Sequence, residues 1–335
     1  MSSPDPKPQD APAIAVRDLN INIRGDRGAF PVVQDMTLSV APGETLCIVG
    51  ESGCGKSMTA LALMRLLPDA AQVTGGSITV AGKDFLALDQ HSVEDLRGEE
   101  IAMIFQEPLT ALNPVLTVGE QIAESVRQHR KVTRKDALAR AVETLQMVQM
   151  PDPERRAWQY PHELSGGMRQ RAMIALALAC DPRIIIADEP TTALDVTIQA
   201  QVLGLISELQ KRMGTAQILI THDLGVVAEV ADRVIVMYAG RRVEEASVYD
   251  LFDNPIHPYT KGLMGAVPRS DAADGEDGRL TDIPGTVPPL WDLPRGCAFA
   301  PRCPGASKRC LEERPPLQEK ALGHWAACWE HDDAA

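Results

Sequence analysis

The sequence has no apolar run approaching the roughly 18 to 20 residues that a bilayer-spanning helix needs. Its opening stretch, Met1 to Ala13, is polar and proline-rich instead of following the pattern of a secretory leader. Both absences lead us to expect a chain that folds without a membrane, so that any pore it serves lies in other chains. Positive charge is also in short supply: 33 Lys and Arg stand against 46 Asp and Glu. That balance argues against a protein that works by wrapping a nucleic-acid backbone. The basic run from Arg127 to Arg140, with Lys131, Arg134 and Lys135, reads as the solvated face of a helical pair. No Cys-x-x-Cys pair occurs among the seven cysteines, which disfavours a zinc ribbon or knuckle. What remains is ample for a large core, with 335 residues of which 44% are hydrophobic.

Within that frame the most informative stretch is Gly50-Glu51-Ser52-Gly53-Cys54-Gly55-Lys56-Ser57, with Met58 after it. It follows the apolar run Leu46 to Val49 and leads into a helix-forming segment. Glycines at 50, 53 and 55 let the backbone fold back so that successive N–H groups face an anion, and the next helix begins with its positive end there. Lys56 then reaches the β- and γ-phosphates of a nucleotide, and the Ser57 hydroxyl holds Mg²⁺. A plain glycine-rich turn is the bland alternative. The apolar strand before it and the helix after it count against that alternative.

Farther along, Arg183-Ile184-Ile185-Ile186-Ala187-Asp188-Glu189 reads as a buried strand whose polar end carries two carboxylates. Many strands end in a solvated acid, so this run gains meaning only from its neighbours. One of them is Leu164-Ser165-Gly166-Gly167-Met168-Arg169-Gln170-Arg171, where a hydroxyl and two glycine amides at a helix start make a second anion site. With these three segments in this order, the chain resembles the ATP-binding cassette family. The resemblance implies Asp188 as the carboxylate that organises Mg²⁺ and Glu189 as the general base that polarises the attacking water. Gln106, after Ile104-Phe105, would offer an amide to Mg²⁺ or its water. His222, after Ile218 to Thr221, would bond the γ-phosphate and orient the water. Taken singly, a histidine after an apolar strand is more often structural. Asp195, in Ala193-Leu194-Asp195, would lie at a subunit boundary.

The resemblance also implies that Leu164 to Met168 grip the nucleotide of a partner, so that two cassettes face each other head to tail and share ATP. Closure on ATP and opening after hydrolysis then form a mechanical cycle. An aromatic usually stacks on adenine upstream of the phosphate loop. Phe30 is the nearby candidate, and an ordinary hydrophobic anchor between two early strands accounts for it equally well.

The expected fold class is α/β: a P-loop ATPase core of the cassette type with a mixed, largely parallel sheet, a helical insert and a small cysteine-containing C-terminal module. The nucleotide domain spans residues 1–265, with the helical subdomain at about 107–165. In the insert Leu138, Ala141, Val142, Leu145 and Val148 recur at helical spacing and give an apolar stripe. The acidic, small-residue run Ser270 to Gly278 reads as a flexible linker, placed at 266–282. A C-terminal module of 283–335 follows.

Three phrases in the C-terminal third carry a narrower resemblance. They are Asn254-Pro255-Ile256-His257-Pro258-Tyr259-Thr260, Ile283-Pro284-Gly285-Thr286-Val287-Pro288 and Gly296-Cys297-Ala298-Phe299-Ala300-Pro301-Arg302-Cys303-Pro304. Together they resemble the C-terminal region of the ATPase subunits of bacterial dipeptide and oligopeptide importers. On residue chemistry alone, His257-Pro258-Tyr259 is only a rigid turn before a short helix. The implied partners are two membrane permease subunits, a second and related cassette ATPase, and a substrate-binding protein reached through the complex. The implied place is the cytoplasmic face of the membrane, with the contact to the permeases around Glu107 to Gln121. A non-transport cassette ATPase acting on nucleic acid or the ribosome is the competing class. Tandem cassettes, coiled coils or basic surfaces would mark it, and none is present.

Cys47 and Cys180 sit in apolar context as small core residues. Cys297, Cys303, Cys310 and Cys328 crowd into the last forty residues and look like a site. Four thiols match the ligand count of Zn²⁺ or of an iron–sulfur cluster, and unligated thiols are a third possibility. Some dipeptide-importer ATPases carry a [4Fe–4S] cluster at the matching cysteines, so the resemblance favours the cluster.

Overall fold

A computed structural model describes residues 11–192, 195–265 and 283–330. The expected linker at 266–282 and the Ala193-Leu194 pair lie outside the described residues. Twelve strands are described: β1 (Ile14–Gly25), β2 (Gly28–Val40), β3 (Thr45–Val49), β4 (Ala71–Val80), β5 (Lys83–Asp84), β6 (Ile101–Ile104), β7 (Ile184–Asp188), β8 (Ala216–Ile220), β9 (Arg233–Tyr238), β10 (Arg241–Ser247), β11 (Gln318–Ala321) and β12 (His324–Ala326). They form a four-stranded antiparallel sheet in the order β2-β1-β4-β5 and an eight-stranded mixed sheet in the order β11-β12-β10-β9-β3-β8-β7-β6.

Strands β9, β3, β8, β7 and β6 are parallel neighbours. They are buried on both faces, which is why they read as unbroken apolar runs. Alternation along β3 divides the interior in two. Cys47 and Val49 face the core shared with the helical insert, whereas Leu46 and Ile48 face the core shared with the antiparallel sheet. Because the inner strands run parallel, the segments after β3, β6, β7 and β8 all emerge at one edge. That is where an open α/β sheet binds its ligand.

The helical insert carries helices Val118–His129 and Arg134–Met147, both N-capped by threonine side chains, Thr117 and Thr133. The buried face of the second is Ala137, Ala141, Thr144 and Leu145, with Val148 just beyond it. Leu138 and Val142, expected on that stripe, lie half-buried at its rim.

The C-terminal residues join the core sheet directly. Strand β12 pairs antiparallel with β10, through Glu244 opposite Ala326 and Glu245 opposite Trp325. Phe299 is buried among Tyr238, Tyr259 and His257, and Ile283, Val287 and Leu293 pack against the same core. The Asn254–Tyr259 phrase is held by Glu244, which is fully buried. Its carboxylate accepts from Ile256 N–H at 2.6 Å and His257 N–H at 2.9 Å, and pairs with His324 at 2.7 Å. His257 Nδ1 in turn accepts from Tyr259 N–H at 3.1 Å. What reads in sequence as a rigid turn is therefore a buried polar network that joins β10, the β11–β12 hairpin and the short helix Pro258–Gly265.

Candidate nucleotide site

The loop after β3 can form only with glycine at two of its positions. A Cβ on Gly50, at φ 152°, would lie 2.3 Å from Met237 O, and one on Gly55, at φ 102°, would lie 2.7 Å from Val32 O. Helix Lys56–Leu63 starts immediately afterwards with its unpaired N–H groups toward the loop. Lys56 is buried, and its ammonium donates to Gly50 O at 2.7 Å and Glu51 O at 3.1 Å. These carbonyls hold the lysine inside the loop it would use to meet phosphate.

Beside the loop, Ser57 donates to Asp188 Oδ1 at 3.1 Å. Burial raises the Asp188 carboxyl above the ordinary carboxylate range, the Ser57 hydroxyl and Lys56 pull it back, and neighbouring Glu189 pushes it up. A divalent cation at this pair would offset both the burial and the second carboxylate. The Ser57 hydroxyl and the Asp188 carboxylate are oxygen donors of the kind Mg²⁺ takes.

Glu189 is the meeting point of the site. One oxygen, Oε2, accepts from Gln106 Nε2 at 3.1 Å and Thr192 Oγ1 at 2.9 Å, and His222 Nδ1 stands 3.5 Å away. Its backbone lies at φ 44°, in the left-handed region, held by its N–H donating to Ile220 O of β8 at 2.9 Å. Strain of this kind persists where the surrounding structure over-determines it, and it clusters at functional sites.

The cleft above these groups encloses about 570 Å³ and is lined by Ser52, Gly53, Gly55, Lys56, Ser57, Met58, Gln106, Glu189 and His222, with Val32 from β2. Of the expected phosphate-loop residues, Gly50, Glu51 and Cys54 face away from it. Burial raises the Cys54 thiol's pKa. Phe30 does not line the cleft; it meets Trp291 edge to face at 6.4 Å. Val32 and Thr192 were missed in the sequence, because a lone Val or Thr carries no pattern of its own.

The second expected anion site lies off this cleft. Ser165 caps helix Gly166–Leu178 and accepts from Met168 N–H at 3.4 Å; Ser165 and Gly166 are exposed, while Leu164 is buried beneath them. Asp195 caps helix Val196–Met213, accepting from Ile198 N–H at 2.9 Å, and is exposed.

Comparison with known proteins agrees with this geometry. Residues 33–192 match the family model described as ABC transporter, and residues 243–310 match that of the oligopeptide/dipeptide transporter C-terminal region. The chain is 56% identical over 319 residues to a probable peptide ABC transporter ATP-binding protein of Sinorhizobium fredii, covering 95% of each. It is 49% identical to the dipeptide transport ATP-binding protein DppD of Bacillus subtilis, covering 96% of each. It is 50% identical to the oligopeptide transport ATP-binding protein OppD of Escherichia coli, covering 94% of this chain and 92% of that one. The chain belongs to the ABC transporter ATP-binding family. Among solved structures, an ATP-binding cassette captured as a dimer after hydrolysis, with ADP and phosphate, superposes at a TM-score of 0.64 and 27% identity. It covers 70% of this chain and 98% of its own.

Outside this cassette's nucleotide cleft, Cys297, Cys303, Cys310 and Cys328 all line one small cavity. Burial raises the thiols of Cys297, Cys303 and Cys328, the last to about 11. Backbone N–H groups of Phe299 and Ala300 at Cys297, of Gly305 at Cys303 and of Glu330 at Cys328 act in the opposite direction, favouring the thiolate. Cys310 Sγ pairs with Ser307 Oγ at 3.3 Å. Among the described residues, however, no three His, Cys, Asp or Glu side chains are gathered closely enough to hold a single metal ion. Neither a lone zinc ion nor an iron–sulfur cluster therefore finds support in this geometry.

Proposed function

We propose that this chain is the ATP-hydrolysing subunit that powers import of di- or oligopeptides through a membrane ABC complex. The observation that carries the reading is the joining of a nucleotide cleft, built by the phosphate loop with Gln106, Glu189 and His222, to a C-terminal region matched by the oligopeptide/dipeptide transporter model at residues 243–310. The reaction is ATP plus water to ADP plus phosphate. Lys56 and the loop amides bind the phosphates, and Ser57, Asp188 and Gln106 hold Mg²⁺. Glu189 accepts the proton of the attacking water, and His222 and Gln106 keep Glu189 and the γ-phosphate in register. Leu164 to Met168, exposed at Ser165 and Gly166, complete the site of a second cassette, with Asp195 at the boundary between the two.

The partners are two permease subunits, a second, related ATPase and, through the complex, a substrate-binding protein. The chain works from the cytoplasmic face of the membrane. No helix among the described residues is long and apolar enough to cross a membrane. In the segment expected to touch the permeases, Leu109 and Val115 are 59% and 75% exposed, which suits a surface that another protein covers. The domain reading remains a nucleotide domain to residue 265, a linker and a module from 283. Cys297, Cys303, Cys310 and Cys328 would hold a [4Fe–4S] cluster, which would supply a covalent staple for a proline-rich tail.

The test is reconstitution with the permeases and the second ATPase in vesicles. The expected result is phosphate release that rises when peptide-loaded binding protein is added outside. Release that responds instead to RNA, DNA or ribosomes, and never to peptide, would overturn the reading.

A further inference from the structure

Glu51 belongs to the phosphate loop, yet its side chain turns away from the nucleotide cleft and toward the C-terminal residues. There it meets Arg302, whose guanidinium donates from Nη1 to Glu51 Oε2 at 2.6 Å and from Nη2 to Oε1 at 3.1 Å. The Arg302 side chain is only 4% exposed. Its remaining donors are also used: Nε donates to Pro284 O at 2.9 Å, Nη2 also to Ile283 O at 3.2 Å, and Nη1 also to Tyr238 OH at 3.4 Å. The guanidinium lies 5.9 Å from the ring centres of Tyr238 and Phe299. On the same loop residue, Glu51 N–H donates to Tyr259 OH at 2.8 Å. Both polar ends of Glu51 are thus held by residues far beyond the nucleotide motifs.

We infer that Arg302 and Tyr259 are positioning residues for ATP binding, through which the C-terminal region sets the conformation and charge of the phosphate loop. The inference rests on the ATPase reading above and adds to it a function for the C-terminal region. Two physical effects act together. A two-pronged guanidinium–carboxylate pair fixes orientation as well as charge, and inside a protein it cannot be exchanged for a single-point contact without loss. Glu51 also places a negative charge in a loop that must receive a polyanion, and Arg302 neutralises it. Without Arg302 the carboxylate is left partly buried and uncompensated beside the phosphates. The loop would then lose its fixed shape, and its amides would no longer converge on one point.

The coupling runs both ways. Whatever loosens the segment 283–303 releases Glu51 and weakens ATP binding, and bound nucleotide steadies that segment in return. The chemical step is not involved, because Gln106, Glu189 and His222 follow the ends of β6, β7 and β8 and do not touch Glu51 or Arg302. The signature of this role is therefore loss of affinity with turnover preserved.

ATP affinity of the full-length chain, measured by calorimetry, tests this, with hydrogen exchange followed across residues 50–57. Wild type should bind ATP and the Lys56→Ala variant should bind it roughly a hundredfold more weakly. Arg302→Met should weaken ATP binding about tenfold and speed amide exchange in the loop, and Arg302→Lys should fall between it and wild type. Glu51→Gln added to Arg302→Met should cause no further loss and should regain part of the affinity, because the contact can be removed only once and the uncompensated carboxylate is gone. In the reconstituted complex Arg302→Met should raise KM for ATP with kcat within twofold of wild type. Tyr259→Phe leaves the packing intact and should weaken ATP binding about threefold, so it decides the matter if Arg302→Met fails to fold. Arg302→Met and Tyr259→Phe chains that fold and bind ATP within twofold of wild type would overturn the inference while leaving the ATPase reading in place. So would losses from Arg302→Met and Glu51→Gln that multiply. A wild-type chain that does not bind ATP would overturn both.

Discussion

In the nucleotide cleft, Ser57 bonds Asp188, and Gln106, Thr192 and His222 converge on one oxygen of Glu189. Around the four cysteines the contacts are sparser: Cys310 Sγ pairs with Ser307 Oγ, backbone N–H groups reach the other three sulfurs, and among the described residues no three ligands are drawn together. Both regions gather residues distant in sequence, so topology alone does not separate them. The difference is chemical. Hydroxyls, amides and carboxylates hydrogen-bond strongly enough to organise one another before the ligand arrives, whereas thiols are weak donors and acceptors that organise one another poorly.

The comparison can be broken most sharply at Glu189. Glu189→Gln keeps the shape and the contacts to Gln106 and Thr192 but removes the proton acceptor. We expect roughly a hundredfold to ten-thousandfold loss of phosphate release with ATP binding retained. Wild-type turnover in that variant would take the role of base away from Glu189. Next is Lys56→Ala, which deletes a buried ammonium. Titration with a fluorescent ATP analogue should show affinity reduced roughly a hundredfold, since charge-assisted bonds contribute about 1.5–3 kcal/mol each. A reduction under threefold would mean that the loop amides alone hold the phosphates.

The cysteine half of the comparison is sharpened by anaerobic purification followed by iron and sulfide analysis, with about four of each per chain expected for a [4Fe–4S] cluster. Cys310→Ala should remove them and lower the unfolding midpoint by several degrees. Zinc in their place, or no metal in the wild-type chain, would dismiss the cluster. The smallest effect concerns His257, which burial, reinforced by Lys261, drives down to about 3. The folded chain therefore keeps it neutral while the unfolded chain takes up a proton below pH 6.5. Stability should fall with acidification from there, by about 1.4 kcal/mol per pH unit from this group. The test compares denaturant midpoints at pH 6.5 and pH 5.0 for wild type and His257→Gln: the variant should lose less stability on acidification, and equal losses would assign the acid sensitivity to other groups.

The nucleotide site was legible in the sequence because its parts are local. The glycine spacing of the phosphate loop and the apolar strand ending in Asp188-Glu189 each state their geometry within a few residues. Other features were illegible for definite reasons. Strand β10 is rich in Arg and Glu, so it does not read as a strand, and the three-residue β12 is a strand through its pairing with β10 on one side and β11 on the other. Val32 lines the cleft through the crossing of β2, and Phe30 is taken by Trp291, a contact between residues remote in the chain.

The sequence by itself determined the ATPase chemistry, the order of its motifs and the family resemblance, because these depend on side-chain types at short spacings. Only the tertiary structure decided what the C-terminal phrases do. Tyr259, Arg302 and Glu244 are single residues whose partners lie many positions away, at Glu51 and His324 and at the amides of Ile256 and His257. A buried hydrogen bond is defined by where two atoms meet, and no spacing along one chain encodes that meeting until the sheet has brought them together.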